Sequence, residues 1–256
     1  MSTKPVQRAM AWCGVVFLAL LFAGLLTAGF IPPIAPKDSA VQVANRYREH
    51  ANAIRLGCVL MIFGAAFTIP FYGVVSAQLQ RMEGHFTPLC FAQIAAGSAG
   101  VLIIIFPVIF FAVATFRPDR DPALTQLLND LGWIPLLMVF PPAVAQVVVI
   151  CVAVLNDPSP VPVFPRWTAY AMLWSGLLFT PAALLLFFKT GPFAWNGLLA
   201  FWVAVPAFGV FTVILIWATL RAIALAPDAE PASAAWKPPP ELPVDSHVSS
   251  PVGVSE

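Results

Sequence analysis

Six stretches of this chain, approximately residues 11–31, 57–79, 89–115, 132–155, 168–188 and 197–222, carry no Asp, Glu, Lys, Arg or His except at their very ends, as at Lys189 and Arg221. A bilayer core of about 30 Å takes about 20 helical residues to cross, and inside it every backbone N–H and C=O must be bonded within the protein. Each stretch meets that length. The pattern predicts an all-α protein, a polytopic transmembrane bundle of about six spans. The composition, 60% hydrophobic and 10% charged, leaves too little polar surface for a water-soluble domain, which carries roughly 25% charged residues. The first run follows Lys4 and Arg8 like a secretory leader. It lacks a small-x-small cleavage site before Pro32-Pro33, so a retained first span is expected. Residues 1–225 then form the six-helix domain. Residues 226–256, rich in Pro, Ser and acidic side chains without apolar periodicity, read as a disordered tail.

Start signals refine the boundaries. Thr87-Pro88 reads as an N-cap with Pro at the first helical position. Ser39 is expected to cap a helix that runs through Tyr47, Arg48 and Arg55 into the second span as one rod. Asp121-Pro122 is expected to start a short interfacial helix through Asp130, striped by Leu124, Leu127, Leu128 and Leu131, before the chain turns into the membrane near Trp133. Trp12, Trp133, Trp167 and Trp195 stand at span ends, where indoles anchor at headgroup level. Six basic residues fall on the side of the termini and seven on the other, close to a tie. Lys4 and Arg8 immediately flank the first span, which places the termini in the cytoplasm.

No ionisable side chain lies at mid-membrane depth. Proton-coupled carriers need such a relay, and haem proteins need an axial histidine. Neither chemistry is expected, and no metal or cofactor either. Prolines, by contrast, are abundant: Pro70, Pro107, Pro135, Pro141, Pro142, Pro181 and Pro206 fall in five of the six spans. Each removes an N–H and frees a carbonyl, which in lipid needs a hydroxyl, an amide or another helix. Thr68 and Thr180 stand just before Pro70 and Pro181, and Gln146 follows Pro141-Pro142. The functional reading is a kinked, partly hydrated centre that binds a ligand through Thr68, Pro70, Gln93, Pro141, Gln146, Thr180 and Pro181. The plain alternative is ordinary bent membrane helices, in which Pro is common. Phe67-Thr68-Ile69-Pro70 and Phe179-Thr180-Pro181 would correspond in two three-helix halves of opposite topology, though chance similarity in a chain rich in Phe and Pro explains so short a match as well. Ala92, Ala96 and Gly100 form a small-residue face, with Gln93 beside it for an interhelical hydrogen bond, and mark the third span as a central packing helix.

The loops offer Arg46, Glu49 and His50 on one side of the membrane, joined there by Asp119, Asp121, Asp130 and Lys189. An acid–base or metal site needs such groups, yet no metal-ligand or nucleophile motif links them. They read as a solvated charged face. Cys13, Cys58, Cys90 and Cys151 lie in or beside apolar runs without Cys-x-x-Cys spacing and read as structural thiols. Arg166, in Phe164-Pro165-Arg166-Trp167, is placed to hold a lipid phosphate. The net charge of +1 argues against a nucleic-acid partner.

Asp130-Leu131-Gly132-Trp133, the Phe-Pro-Arg-Trp turn and the string from Lys189 through Gly197 resemble those of uncharacterised six-span bacterial membrane proteins of actinobacteria and proteobacteria. The resemblance covers approximately residues 10–222. It implies a six-span fold and a bacterial inner-membrane address, with no activity and no functional residue. The leading expectation is a non-enzymatic protein that binds or moves a neutral or lipid-like molecule. An accessory subunit of a larger membrane complex is the alternative, and a membrane-embedded enzyme is less favoured.

Overall fold

The structure, a computed structural model, describes residues 4–84 and 88–227. Among the described residues, six helical spans are long and apolar enough to cross a membrane: Lys4–Thr27, Ala51–Glu83, Pro88–Phe116, Pro122–Leu155, Arg166–Phe187 and Leu198–Leu225. Their elements in chain order are α1 (Lys4–Thr27), α2 (Ala40–Glu49), α3 (Ala51–Ala66), α4 (Thr68–Glu83), α5 (Pro88–Phe116), α6 (Pro122–Met138), α7 (Pro141–Leu155) and α8 (Arg166–Phe179). A 3-10 segment (Thr180–Phe187), a π-helical segment (Leu198–Val203) and α9 (Ala204–Leu225) complete the bundle. No strand occurs among the described residues. The expected tail lies outside them from residue 228 on, and so does the expected cap Thr87.

Prolines decide where the spans break. The second span breaks between α3 and α4, the fourth between α6 and α7, and the fifth passes from α to 3-10 geometry at Thr180. In each case a proline falls within the first turn of the following segment: Pro70, Pro141 and Pro181. There its missing N–H has no partner to lose. Only Pro107 and Pro135 stand inside continuous α-helix. Thr180 repairs its break directly, because its hydroxyl donates to the Leu177 carbonyl at 2.8 Å, the acceptor that Pro181 has no N–H to reach.

Two caps follow expectation. Ser39 and Gln42 form a reciprocal capping box at the start of α2, and Asp121 accepts from the Ala123 N–H at 2.8 Å at the start of α6. The long rod does not form, because His50 (φ −110°, ψ 18°) separates α2 from α3. The interfacial helix is not separate either: α6 runs unbroken through Gly132-Trp133. At the start of α5 the Glu83 carboxylate, from the end of α4, accepts from the N–H groups of Leu89 and Cys90, at 2.9 and 2.8 Å.

The girdle expectation fails for two of its four members. Trp12 and Trp167 are about half exposed, but Trp133 is 0% exposed and packs among Phe30, Phe111 and Phe201. Gly132 makes this possible, since a Cβ there would collide with the Phe111 ring. Trp195 is buried too, and its indole N–H donates to the Ile34 carbonyl at 2.7 Å.

α5 is the central packing helix, in contact with α3, α4, α6 and α7. Its buried face is Gln93, Gly97, Val101 and Ile104, one position round from the expected Ala92, Ala96 and Gly100; Ala92 is exposed. α1 packs on α3, α4 and α9. Its crossing with α3 is the tightest of these, since a Cβ on Gly24 would come within 2.7 Å of the Gly57 carbonyl oxygen. At one end of the bundle arginines cover helix C-terminal carbonyls. Arg46 donates to Gly29, Arg55 to Thr115 and Arg120 to Val113, at 2.8, 2.5 and 2.8 Å. Arg48 reaches the Pro118 carbonyl at 2.7 Å. Nearby, burial pushes the Tyr47 phenol well above its ordinary pKa, and its neutral hydroxyl donates to Asn129 Oδ1 at 3.2 Å.

Candidate functional site

A cavity of about 130 Å³ lies between the helices, lined by residues from all six spans. The breaks described above converge on it. Tyr72 comes from the first turns of α4, Phe140 from the α6–α7 break, Phe179 from the end of α8, and Phe201 and Ala204 from the π-to-α passage. Leu21, Phe22 and Leu25 of α1 and Gly100, Val101, Ile103 and Ile104 of α5 close the remaining sides. Departures from α geometry, π segments among them, recur at functional sites in membrane and soluble helices alike. The cavity is not sealed: Phe22, Ile103, Phe140, Ala143 and Phe208 in its lining are each partly exposed.

The lining is hydrocarbon and aromatic apart from Tyr72 and Gln146. Gln146 is 2% exposed, and its Nε2 has no hydrogen-bond partner. Gly97 gives the two polar side chains their room. A Cβ at that position would stand 2.7 Å from the Tyr72 ring and 3.0 Å from Gln146 Nε2, tighter than a side chain can sit. One turn earlier on α5, Gln93 is fully buried and its Oε1 accepts from the Ser76 hydroxyl of α4, the expected interhelical bond, while its Nε2 is also unpartnered. Leaving a buried donor unpaired costs about 1–3 kcal/mol. Three buried donors lack a partner among the described residues, Gln93 Nε2, Trp133 Nε1 and Gln146 Nε2, and of these Gln146 alone lines the cavity.

Of the residues nominated from sequence, only Gln146 lines the cavity. It does not bond the carbonyls freed by Pro141-Pro142, which was its expected structural role. Thr68 is buried, but its hydroxyl donates back to the Ala65 carbonyl at 2.6 Å. Thr180 and Pro141 are exposed on the outside of the bundle, and Pro70 and Pro181 are half-buried, each two residues from a lining position. The prolines shape the cavity without forming its wall. Tyr72, Gly97 and the ring of phenylalanines were missed. Their only sequence signal was proximity to the prolines and, for Gly97, its position one turn after Gln93.

The loop groups do not assemble. Glu49, His50, Asp119 and Asp121 are each exposed. No group of three or more His, Cys, Asp or Glu side chains suited to a metal ion occurs among the described residues. Cys58 and Cys151 are buried and Cys13 and Cys90 half-buried, all as free thiols. Arg166 is exposed in the first turn of α8. No protein-family model matches the chain, and no curated protein or solved structure matches it significantly.

Proposed function

We propose that this multi-pass membrane protein binds a neutral, largely apolar molecule in the central cavity. Gln146 Nε2 donates a hydrogen bond to an acceptor on that molecule. The observation that carries the reading is the buried amide donor without a partner, in a wall that is otherwise almost wholly apolar. A carbonyl, ester or ether oxygen placed there relieves the unpaired donor, and hydrocarbon or ring surface fills the rest. No ionisable carboxylate, amine or imidazole lines the cavity, which favours an uncharged ligand. The volume suits one ring or a short branched chain, since an apolar cavity of about 150 Å³ takes up benzene. The opening gives room for the remainder of a longer lipid. The inner-membrane address and cytoplasmic termini implied by the resemblance and by Lys4 and Arg8 belong to the same reading.

Native mass spectrometry of the gently solubilised protein tests it. A retained small molecule or lipid is expected on the wild type and is lost in Gln146→Leu, while the variant melts at the same temperature or higher. Bare protein in both samples, or a set of retained molecules that Gln146→Leu leaves wholly unchanged, overturns the reading.

A further inference from the structure

Away from the cavity, α3 and α5 leave a groove of about 280 Å³ on the outside of the bundle. It is walled by Cys58, Val59 and Ile62 on one side and Val108, Ile109 and Phe116 on the other. Val59, Ile62, Ile109 and Phe116 are all exposed, so the groove faces the bilayer. It extends over the eight residues from Arg55 to Ile62, about 10 Å of helix. Empty, its walls lose their dispersion contacts, and water cannot satisfy them. A hydrocarbon chain is the matching occupant.

One end of the groove is not apolar. Arg55 lines it there, beside the start of α3 and the end of α5. Its Nη1 donates to Asn52 Oδ1 at 3.2 Å and its Nη2 to the Thr115 carbonyl at 2.5 Å. Both partners are uncharged, and they use two of the five N–H donors a guanidinium carries. Arg117, exposed, and Arg48 and Arg120, which also hold backbone carbonyls, lie in the adjoining segments. A cation at the end of an acyl-shaped groove, at the depth where a span begins, complements a phosphate diester. We propose that this groove seats one acyl chain of an anionic phospholipid, with the lipid phosphate held by Arg55. The site is separate from the central cavity and does not depend on what that cavity binds.

The full-length protein in detergent, titrated with phosphatidylglycerol or with phosphatidylcholine of the same chains and read by native mass spectrometry, tests this. The wild type is expected to bind phosphatidylglycerol several-fold more tightly. Arg55→Gln removes that preference, and Arg55→Lys keeps part of it. Ala112→Phe fills the groove while leaving Arg55 in place, and weakens binding of both lipids. Equal affinity of the wild type for the two lipids overturns the proposal. So does an undiminished preference in Arg55→Gln, or unchanged binding in Ala112→Phe. Should Arg55→Gln fail to fold, the Arg55→Lys and Ala112→Phe arms decide it.

Discussion

Two seams in this bundle are built on glycine, and they end differently. Where α1 crosses α3, Gly24 and Gly57 bring backbone against backbone, and a Cβ on Gly57 would come within 2.7 Å of the Ala28 Cβ. Nothing is left between the helices. Where α5 meets α4 and α7, Gly97 admits the Tyr72 ring and the Gln146 amide instead, and the space beside them remains a cavity. Without a hydrophobic driving force between helices in lipid, close packing is the main source of cohesion. The first seam uses its glycines for that. The second gives up contact and leaves a donor unpaired, the pattern expected of a site kept for something else.

Substitutions separate the two seams, and the largest effect belongs to the closed one. Gly57→Leu is expected to destabilise by about 3 kcal/mol or more through overpacking against backbone that cannot move aside. Loss of a monodisperse folded peak in detergent shows it; a variant as stable as wild type would break the contrast. Gly97→Ala meets side chains, which can shift, so about 1–2 kcal/mol is expected, together with loss of any retained ligand. Gln146→Leu goes the other way. It removes the unpaired donor and raises the melting temperature of the ligand-free protein, by about 1 kcal/mol in stability, while binding falls. A destabilised Gln146→Leu would mean that the amide has a structural partner. Thr180→Val, outside both seams, removes only the hydroxyl's bond to the Leu177 carbonyl, which keeps the Thr180 N–H, and should cost about 0.6 kcal/mol in thermal unfolding, with binding unaffected.

The spans were legible because bilayer thickness sets a length that charge-free runs either meet or miss. Ser39 and Asp121 were legible as caps because capping is local. What was hidden lies in which way apolar residues face. In water a phenylalanine points to the core, but here lipid and core are equally apolar. Nothing in the chain's 21 Phe separates Phe140, Phe179 and Phe201 at the cavity from Phe91 and Phe187 on the outside. The face of α5 shows the same ambiguity. Ala92-Ala96-Gly100 and Gln93-Gly97-Val101 share one spacing, and only the neighbours choose the second. Trp133 went to the core because α6 continues through Gly132 instead of stopping at the interface. Gln146 was legible as a polar residue in an apolar run. That its amide has no partner depends on residues from distant spans.

The Trp195 indole bonded to the Ile34 carbonyl has a consequence for biogenesis. These residues are 161 positions apart, one just after the first span and the other just before the last. At roughly 5–20 residues per second of synthesis, the first span waits on the order of ten seconds or longer for this partner, and for α9, to emerge. Until then its glycine face can pair only with the second span. Insertion therefore proceeds from an early hairpin of the first two spans, and the ring of helices closes only when the sixth enters the membrane.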